Sequence, residues 1–186
     1  MLREQARPLT FTEIRSPEIQ DLIEWMRETM HDAPGVGLAA PQVGISLQLA
    51  VIEDKPEYTR DATADALKER ERKAVPFHVI INPKISMHEA APVEFFEGCL
   101  SLNGFMALVP RAREVTVECL DHRGDPKVIK ASGWYARIVQ HEIDHLQGTL
   151  YIDRMHPRTF MTTENFNRHW KDKSIAEVRE LTGIKR

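Results

Sequence analysis

The sequence predicts an α+β protein. Antiparallel β-sheets pack around a central helix that carries a metal-binding H-E-x-x-H motif, with one helix near the N-terminus and one near the C-terminus. Three observations predict this. Strand-like runs crowd the middle of the chain instead of alternating with helices, which argues against a parallel α/β sheet. Apolar stripes at helical spacing lie near both ends. After the strand-like runs comes His141-Glu142-Ile143-Asp144-His145, with Trp134, Ile138 and Leu146 at helical spacing around it.

Ser16-Pro17 opens the first helix, Ile19, Leu22, Ile23, Met26 and Met30 form its stripe, and Pro34-Gly35 end it. Residues 35–44 read Gly-Val-Gly-Leu-Ala-Ala-Pro-Gln-Val-Gly. Three glycines and a proline forbid a regular helix there, and so many small residues imply a backbone packed tightly against something. No Lys-Ser/Thr pair follows, which disfavours a phosphate loop. Leu47, Leu49 and Val51 alternate as in a half-buried strand. Between 54 and 76, twelve of 23 residues are charged, and Pro56 and Pro76 bracket the stretch. It reads as a solvated loop insertion with a helical piece at 64–73.

Strand-like pieces follow at 78–82, 107–109, 114–121 and 127–130, with His122-Arg123-Gly124-Asp125 as a hairpin turn between the last two. Ser132 stands in the cap position of the H-E-x-x-H helix and Gly148 is its stop signal. Leu150-Tyr151-Ile152 reads as a short strand. Ser174 and Glu177 resemble a capping box, Ile175, Val178 and Leu181 follow at helical spacing, and Gly183 ends this C-terminal helix within residues 172–186. A length of 186 residues suits a single catalytic domain, 1–186.

Net charge is −3, so no global basic field recruits nucleic acid, and no specific DNA partner is expected. No apolar run reaches the roughly 18 residues of a spanning helix, and the first residues lack an apolar signal core. Two cysteines, Cys99 and Cys119, suit a reducing compartment. Cys119 alternates with Val115 and Val117 on one strand face and reads as core. Cys99 sits in Glu97-Gly98-Cys99-Leu100-Ser101, where glycine permits unusual geometry.

His141 and His145 are four apart, so both imidazoles reach one ion from one helical face. Glu142 lies beside that ion, where a carboxylate can move protons on and off water. A catalytic metal needs three protein ligands and an open position. The spacing leaves the third ligand open among Cys99 upstream and His156, Glu164 and His169 downstream.

Three segments together resemble peptide deformylase of type 1: GVGLAAPQVG at 35–44, EGCLS at 97–101 and QHEIDHLQG at 140–148. Their order and spacing are specific, and the similarity runs from about residue 2 to 165, including Val109-Pro110-Arg111. The approach to the helix at Trp134 and the segment Arg158-Thr159-Phe160 resemble the organelle-type subclass, which some bacteria also carry. The resemblance implies removal of the N-formyl group from the initiator methionine of nascent chains, with release of formate. It implies Cys99, His141 and His145 as metal ligands, Glu142 as general base and then acid, and Gln42 with the Leu100 N–H as oxyanion donors. Gly37 would offer backbone hydrogen bonds to substrate, and Val36, Phe95, Trp134 and Ile138 would line the methionine pocket. The implied cofactor is one divalent ion, with Fe2+ as the native metal and Zn2+, Ni2+ or Co2+ as substitutes.

Two departures accompany the resemblance. Members often have about ten further residues before the segment matching Leu2-Arg3, so a first strand is expected to be missing or trimmed. Many carry arginine where Met106 stands, which puts one substrate backbone contact in doubt. The partners implied are N-formylmethionyl nascent peptides, in the bacterial cytoplasm or alternatively in an organelle stroma or matrix. Residues 164–186 carry six Lys/Arg against four Asp/Glu, a basis for weak ribosome contact; packing through Ile175, Val178 and Leu181 is the competing reading. Asp144 and Arg111 form a candidate buried pair. The rival functions are a zincin-like metallopeptidase, which needs a His or Glu third ligand, and a non-catalytic metal-stapled binding module.

Overall fold

The computed structural model describes residues 1–60, 62–88 and 91–184. In chain order the helices are α1 (Phe11–Ile14), α2 (Pro17–Asp32), α3 (Ala64–Glu69), α4 (Gly133–Leu146), α5 (Thr163–His169) and α6 (Ile175–Thr182). The strands are β1 (Gly37–Ala39), β2 (Leu49–Asp54), β3 (Val75–Met87), β4 (Val93–Gly98), β5 (Phe105–Arg111), β6 (Glu114–Leu120), β7 (Pro126–Ser132) and β8 (Met161–Thr162). The chain divides into two compact units, Met1–Ala91 with Ala112–Thr149, and Pro92–Arg111 with Leu150–Arg186. Among the described residues no helix is long and apolar enough to cross a membrane.

The first unit is a five-stranded antiparallel sheet, β1-β2-β3-β6-β7, with α2 on one face and α4 on the other. Side chains on a strand alternate between faces. Accordingly Leu49, Val51, Val79 and Ile81 pack with Leu22, Ile23, Met26 and Met30 of α2. Ile52 and Ile80 pack on the opposite face with Ile138, Val139 and Ile143 of α4. The expected half-buried strand at 47–51 is corrected by this arrangement. Leu49 to Ile52 are all 0% exposed, because helices cover both faces.

The start of α2 is as the sequence predicts: the Ser16 hydroxyl accepts the Ile19 N–H at 3.4 Å, with Pro17 in the first turn. The turn between β6 and β7 is also as expected. The Asp121 carboxylate accepts the N–H groups of Arg123 and Asp125, and Gly124 takes φ +85. The 54–76 stretch contains the expected helical piece as α3, but it is not merely solvated. Asp54 is fully buried and accepts both Arg72 Nε and Nη2 at 2.8 Å.

The second unit is a three-stranded antiparallel sheet, β4-β5-β8, with α5 and α6. Phe96 and Leu108 pack with Val178 of α6 and with Met106, Phe166 and Trp170. Val178 is fully buried and Ile175 partly so, whereas Leu181 is 63% exposed, so the expected apolar stripe of α6 stops short of Leu181. Tyr151–Asp153 form a turn of 3-10 helix instead of the expected strand. The Asp153 carboxylate folds back to accept the Leu150 N–H at 2.8 Å, which closes the chain on itself.

Candidate metal centre

The α4 helix begins without the expected serine cap. Ser132 occupies the cap position but its side chain makes no capping bond. Two N–H groups left over at the helix start are met by backbone carbonyls instead: Gly133 donates to Arg113 at 2.9 Å and Trp134 to Arg70 at 2.8 Å. The helix ends at Leu146, and Gly148 just beyond it is the stop the sequence predicts. Gly148 takes φ +71, and its backbone lies against Arg3, where a Cβ would come within 2.8 Å of the Arg3 carbonyl.

The i, i+4 spacing sets the His141 and His145 rings 5.0 Å apart, centre to centre, with His145 buried and His141 partly exposed. Cys99 follows β4 in extended backbone and precedes a 3-10 turn, Leu100–Leu102, closed by Leu102 N–H donating to the Cys99 carbonyl at 3.0 Å. The ligand atoms of Cys99, His141 and His145 all lie within 4.8 Å of one another. Donors about 2.0–2.3 Å from a tetrahedral ion stand roughly 3.3–3.6 Å apart, so the three side chains would close in by up to about 1.5 Å to share a single ion. A thiolate with two imidazoles is a donor set for zinc or ferrous iron.

The downstream alternatives for the third ligand are engaged elsewhere or exposed. His156 pairs with Glu94 at 2.7 Å, Glu164 with Arg168 at 2.8 Å, and His169 is exposed on α5. Burial pushes the Glu94 carboxyl up, but hydrogen bonds from Arg179 and His156 outweigh it and hold the group below its ordinary value.

Glu142 is buried, and the tight loop at 35–44 packs against it. A Cβ on Gly37 would stand 2.6 Å from Cδ and 2.8 Å from Cγ of Glu142, so only glycine admits the carboxylate there. Ala39 and Ala40 are 0% exposed on the same loop. Gln42 Oε1 accepts the Ala39 N–H at 2.8 Å, which orients the amide with its NH2 as the donor end.

Val36, Trp134 and Ile138 share one apolar cluster. Phe95 is buried on β4 of the second unit, opposite Val109. Leu100 is 41% exposed. Met106 packs into the apolar cluster of the second unit with Phe96 and Leu108. A cavity of about 550 Å³ lined by Lys68, Arg72, Lys73, Lys130, Ser132 and Tyr135 contains none of the expected site residues.

Two supporting interactions escape sequence reading. Gln140 is buried, accepts the Ala112 N–H at 3.0 Å and donates to the Ala112 carbonyl at 2.8 Å, tying α4 to the start of β6. Arg111 donates two bonds of 3.0 Å to Glu97. Asp144 is buried, as the candidate pairing requires, and Glu97 is one partner of Arg111. The sequence signal available for Gln140 was an amide directly after the apolar run Ile138-Val139 of this helix.

Residues 1–160 match the family model for polypeptide deformylase. The chain is 50% identical over 167 residues to the chloroplastic peptide deformylase 1A of Solanum lycopersicum, covering 90% of this chain and 60% of that protein. It thus spans about three fifths of that relative's length. It is 46% identical to peptide deformylase 1 of Bifidobacterium longum, covering 88% of this chain and 73% of the relative. Among solved structures it is similar to the class I type b peptide deformylase of Acinetobacter baumannii with Met-Ala-Ser bound. The TM-score there is 0.72 at 34% identity, covering 83% of this chain and 91% of that one.

Proposed function

The chain belongs to the polypeptide deformylase family, and from that premise we propose that it hydrolyses the N-formyl group of nascent polypeptides that begin with formyl-methionine. Water adds across the formyl C–N bond, and formate and a free amino terminus leave. The observation that carries this reading is the cluster of Cys99 with His141 and His145 of α4, the helix that also carries buried Glu142. The family match runs over residues 1–160 and so supports one catalytic domain.

In this reading Cys99, His141 and His145 hold one divalent ion. When bound, such an ion lowers the pKa of a water to about 7 and polarises the formyl oxygen. Fe2+ is the proposed native metal on family resemblance, and the mixed sulfur and nitrogen donors also suit Zn2+, Ni2+ or Co2+. Glu142 takes the proton from the attacking water and returns it to the leaving amine. The Gln42 NH2 and the Leu100 N–H donate to the oxygen on which charge develops, each worth about 3–4 kcal/mol of barrier at such sites. The Gly37 backbone binds the peptide. Val36, Phe95, Trp134 and Ile138 receive the methionine side chain, and the Met-Ala-Ser peptide on the Acinetobacter relative supports a peptide ligand that begins with methionine.

Chloroplastic and bacterial relatives support either an organelle or a bacterial cytoplasm as its place of action. Incubating the metal-loaded protein with formyl-Met-Ala-Ser tests the reading. Formate and Met-Ala-Ser are the expected products, and an intact formyl peptide after long incubation contradicts it.

The close approach of Gly37 to Glu142 gives a sharper test of the base. Gly37→Ala should retain metal but lose about 10²-fold in turnover, the cost of displacing a catalytic group by an ångström or so. Turnover within twofold of wild type would show that Glu142 does not work from the position described.

Weak ribosome contact through residues 164–186 is a further part of the proposal. Arg168 and Arg179 pair with Glu164 and Glu94, Lys171 and Lys173 remain to steer it, and Lys185 and Arg186 lie outside the described residues. Deleting 172–186 should therefore lower ribosome co-sedimentation only at low salt. Co-sedimentation unchanged by the deletion at every salt concentration would remove the segment from this role.

A further inference from the structure

The charged excursion at 54–76 reaches α4 through its arginine-rich end. The bidentate bonds from Arg72 to buried Asp54 fix the returning chain beside β2. One step away, the Arg70 carbonyl accepts the Trp134 N–H at 2.8 Å. Gly133, at φ +58, leaves no room for a side chain, because Glu71 and the Arg70 carbonyl lie against it. Above the Trp134 ring stand two guanidinium groups, Arg70 at 5.0 Å and Arg72 at 5.4 Å from its centre. Burial draws Arg70 below its ordinary pKa, Arg72 adds to this by repulsion, and Glu69 opposes it. A cation withdrawn from water is held more strongly by a ring face than an exposed one. Trp134 packs in turn with Val36 and Ile138.

We propose that Arg70 and Arg72 are positioning residues for the methionine pocket: the 54–76 excursion holds the Trp134 indole against Val36 and Ile138 and so sets which first side chain is accepted. This rests on the pocket reading given above. A thioether gains from contact with an aromatic ring, so a wall of fixed orientation favours methionine over smaller side chains. A ring released by loss of the guanidinium weakens peptide binding without touching Glu142, the oxyanion donors or the ligand set. The effect therefore falls on KM and on side-chain preference.

Arg70→Gln keeps the backbone carbonyl and much of the side-chain length but removes the cation. In the metal-loaded full chain, KM for formyl-Met-Ala-Ser should rise about two- to thirtyfold, the range of one cation–π contact from exposed to desolvated expressed as a ratio. The preference for formyl-Met over formyl-Ala peptides should fall by a similar factor, with kcat and metal content held. Arg70→Lys restores a cation and should recover most of both. Unchanged KM and unchanged preference in Arg70→Gln overturn the proposal. So does a joint loss of kcat, metal and thermal midpoint, which marks the loop as structural support only. If Arg70→Gln does not fold, Trp134→Phe serves in the same assay; it should lose preference in the same direction, and unaltered preference overturns the proposal. A wild-type protein that releases no formate defeats the deformylase reading itself. An active wild type indifferent to these changes defeats only the inference about Arg70 and Arg72.

Discussion

Glu142→Ala is expected to keep its metal and lose at least about 10²-fold in turnover, the lower end of general acid–base contributions. The carboxylate is buried and lies against Gly37, whereas the ligand cluster is formed by Cys99, His141 and His145 without it. Removing it therefore takes away the proposed proton carrier and leaves the three candidate ligands intact. Glu142→Gln fills the same space and cannot accept a proton, so it should fail equally. The pair of variants separates loss of the base from loss of packing against Gly37. Metal content by elemental analysis and formate release at saturating peptide are the two readouts. Near-normal turnover in either variant would assign the proton transfers to another group.

The second large effect is expected at Cys99. Cys99→Ala removes the only sulfur donor of the cluster, and two imidazoles alone hold a divalent ion far less firmly than a three-ligand site. Metal content of the purified variant should fall to background, and activity with it. Cys119 provides the internal control. It is buried in the sheet core, where desolvation raises its thiol pKa, and such a thiol is inert. Cys119→Ala should retain metal and turnover. Full metal retention in Cys99→Ala would contradict the ligand assignment, whatever the activity.

Much of the fold was legible because periodicity reports burial directly. The stripe of α2 and the helix carrying His141 and His145 were readable from apolar spacing, and the β6–β7 turn from Gly124 and its neighbours. The strand β4 was not, because Glu94 and Glu97 interrupt its apolar pattern. Both are buried as ion pairs, Glu94 with Arg179 and His156 and Glu97 with Arg111, partners far away in sequence. Helix α4 shows the same limit at its start. Ser132 looks like a cap, yet the carbonyls of Arg70 and Arg113 satisfy the helix, and no local pattern encodes a backbone carbonyl arriving from 60 residues upstream. The charged stretch 54–76 looked solvated because composition counts charges and not their partners. Asp54 and Arg72 neutralise one another out of water. At the site, the histidine pair was readable from its spacing alone. The third ligand was not readable from spacing, since Cys99, His156, Glu164 and His169 were all chemically suitable; the family resemblance implied Cys99, and Cys99 is the candidate that stands beside the histidine pair.

The proposed reaction of this cluster is cleavage of a formyl C–N bond and not of an internal peptide bond. The most direct measurement follows both products in one reaction, formate and newly formed internal amino termini, from formyl-Met-Ala-Ser with the metal-loaded protein. One formate per peptide consumed is expected, with the Met–Ala and Ala–Ser bonds intact. Cleavage of either internal bond without formate would point to a metallopeptidase, and metal-dependent binding with no product of either kind would point to a binding module; either result would rule out deformylation by this cluster.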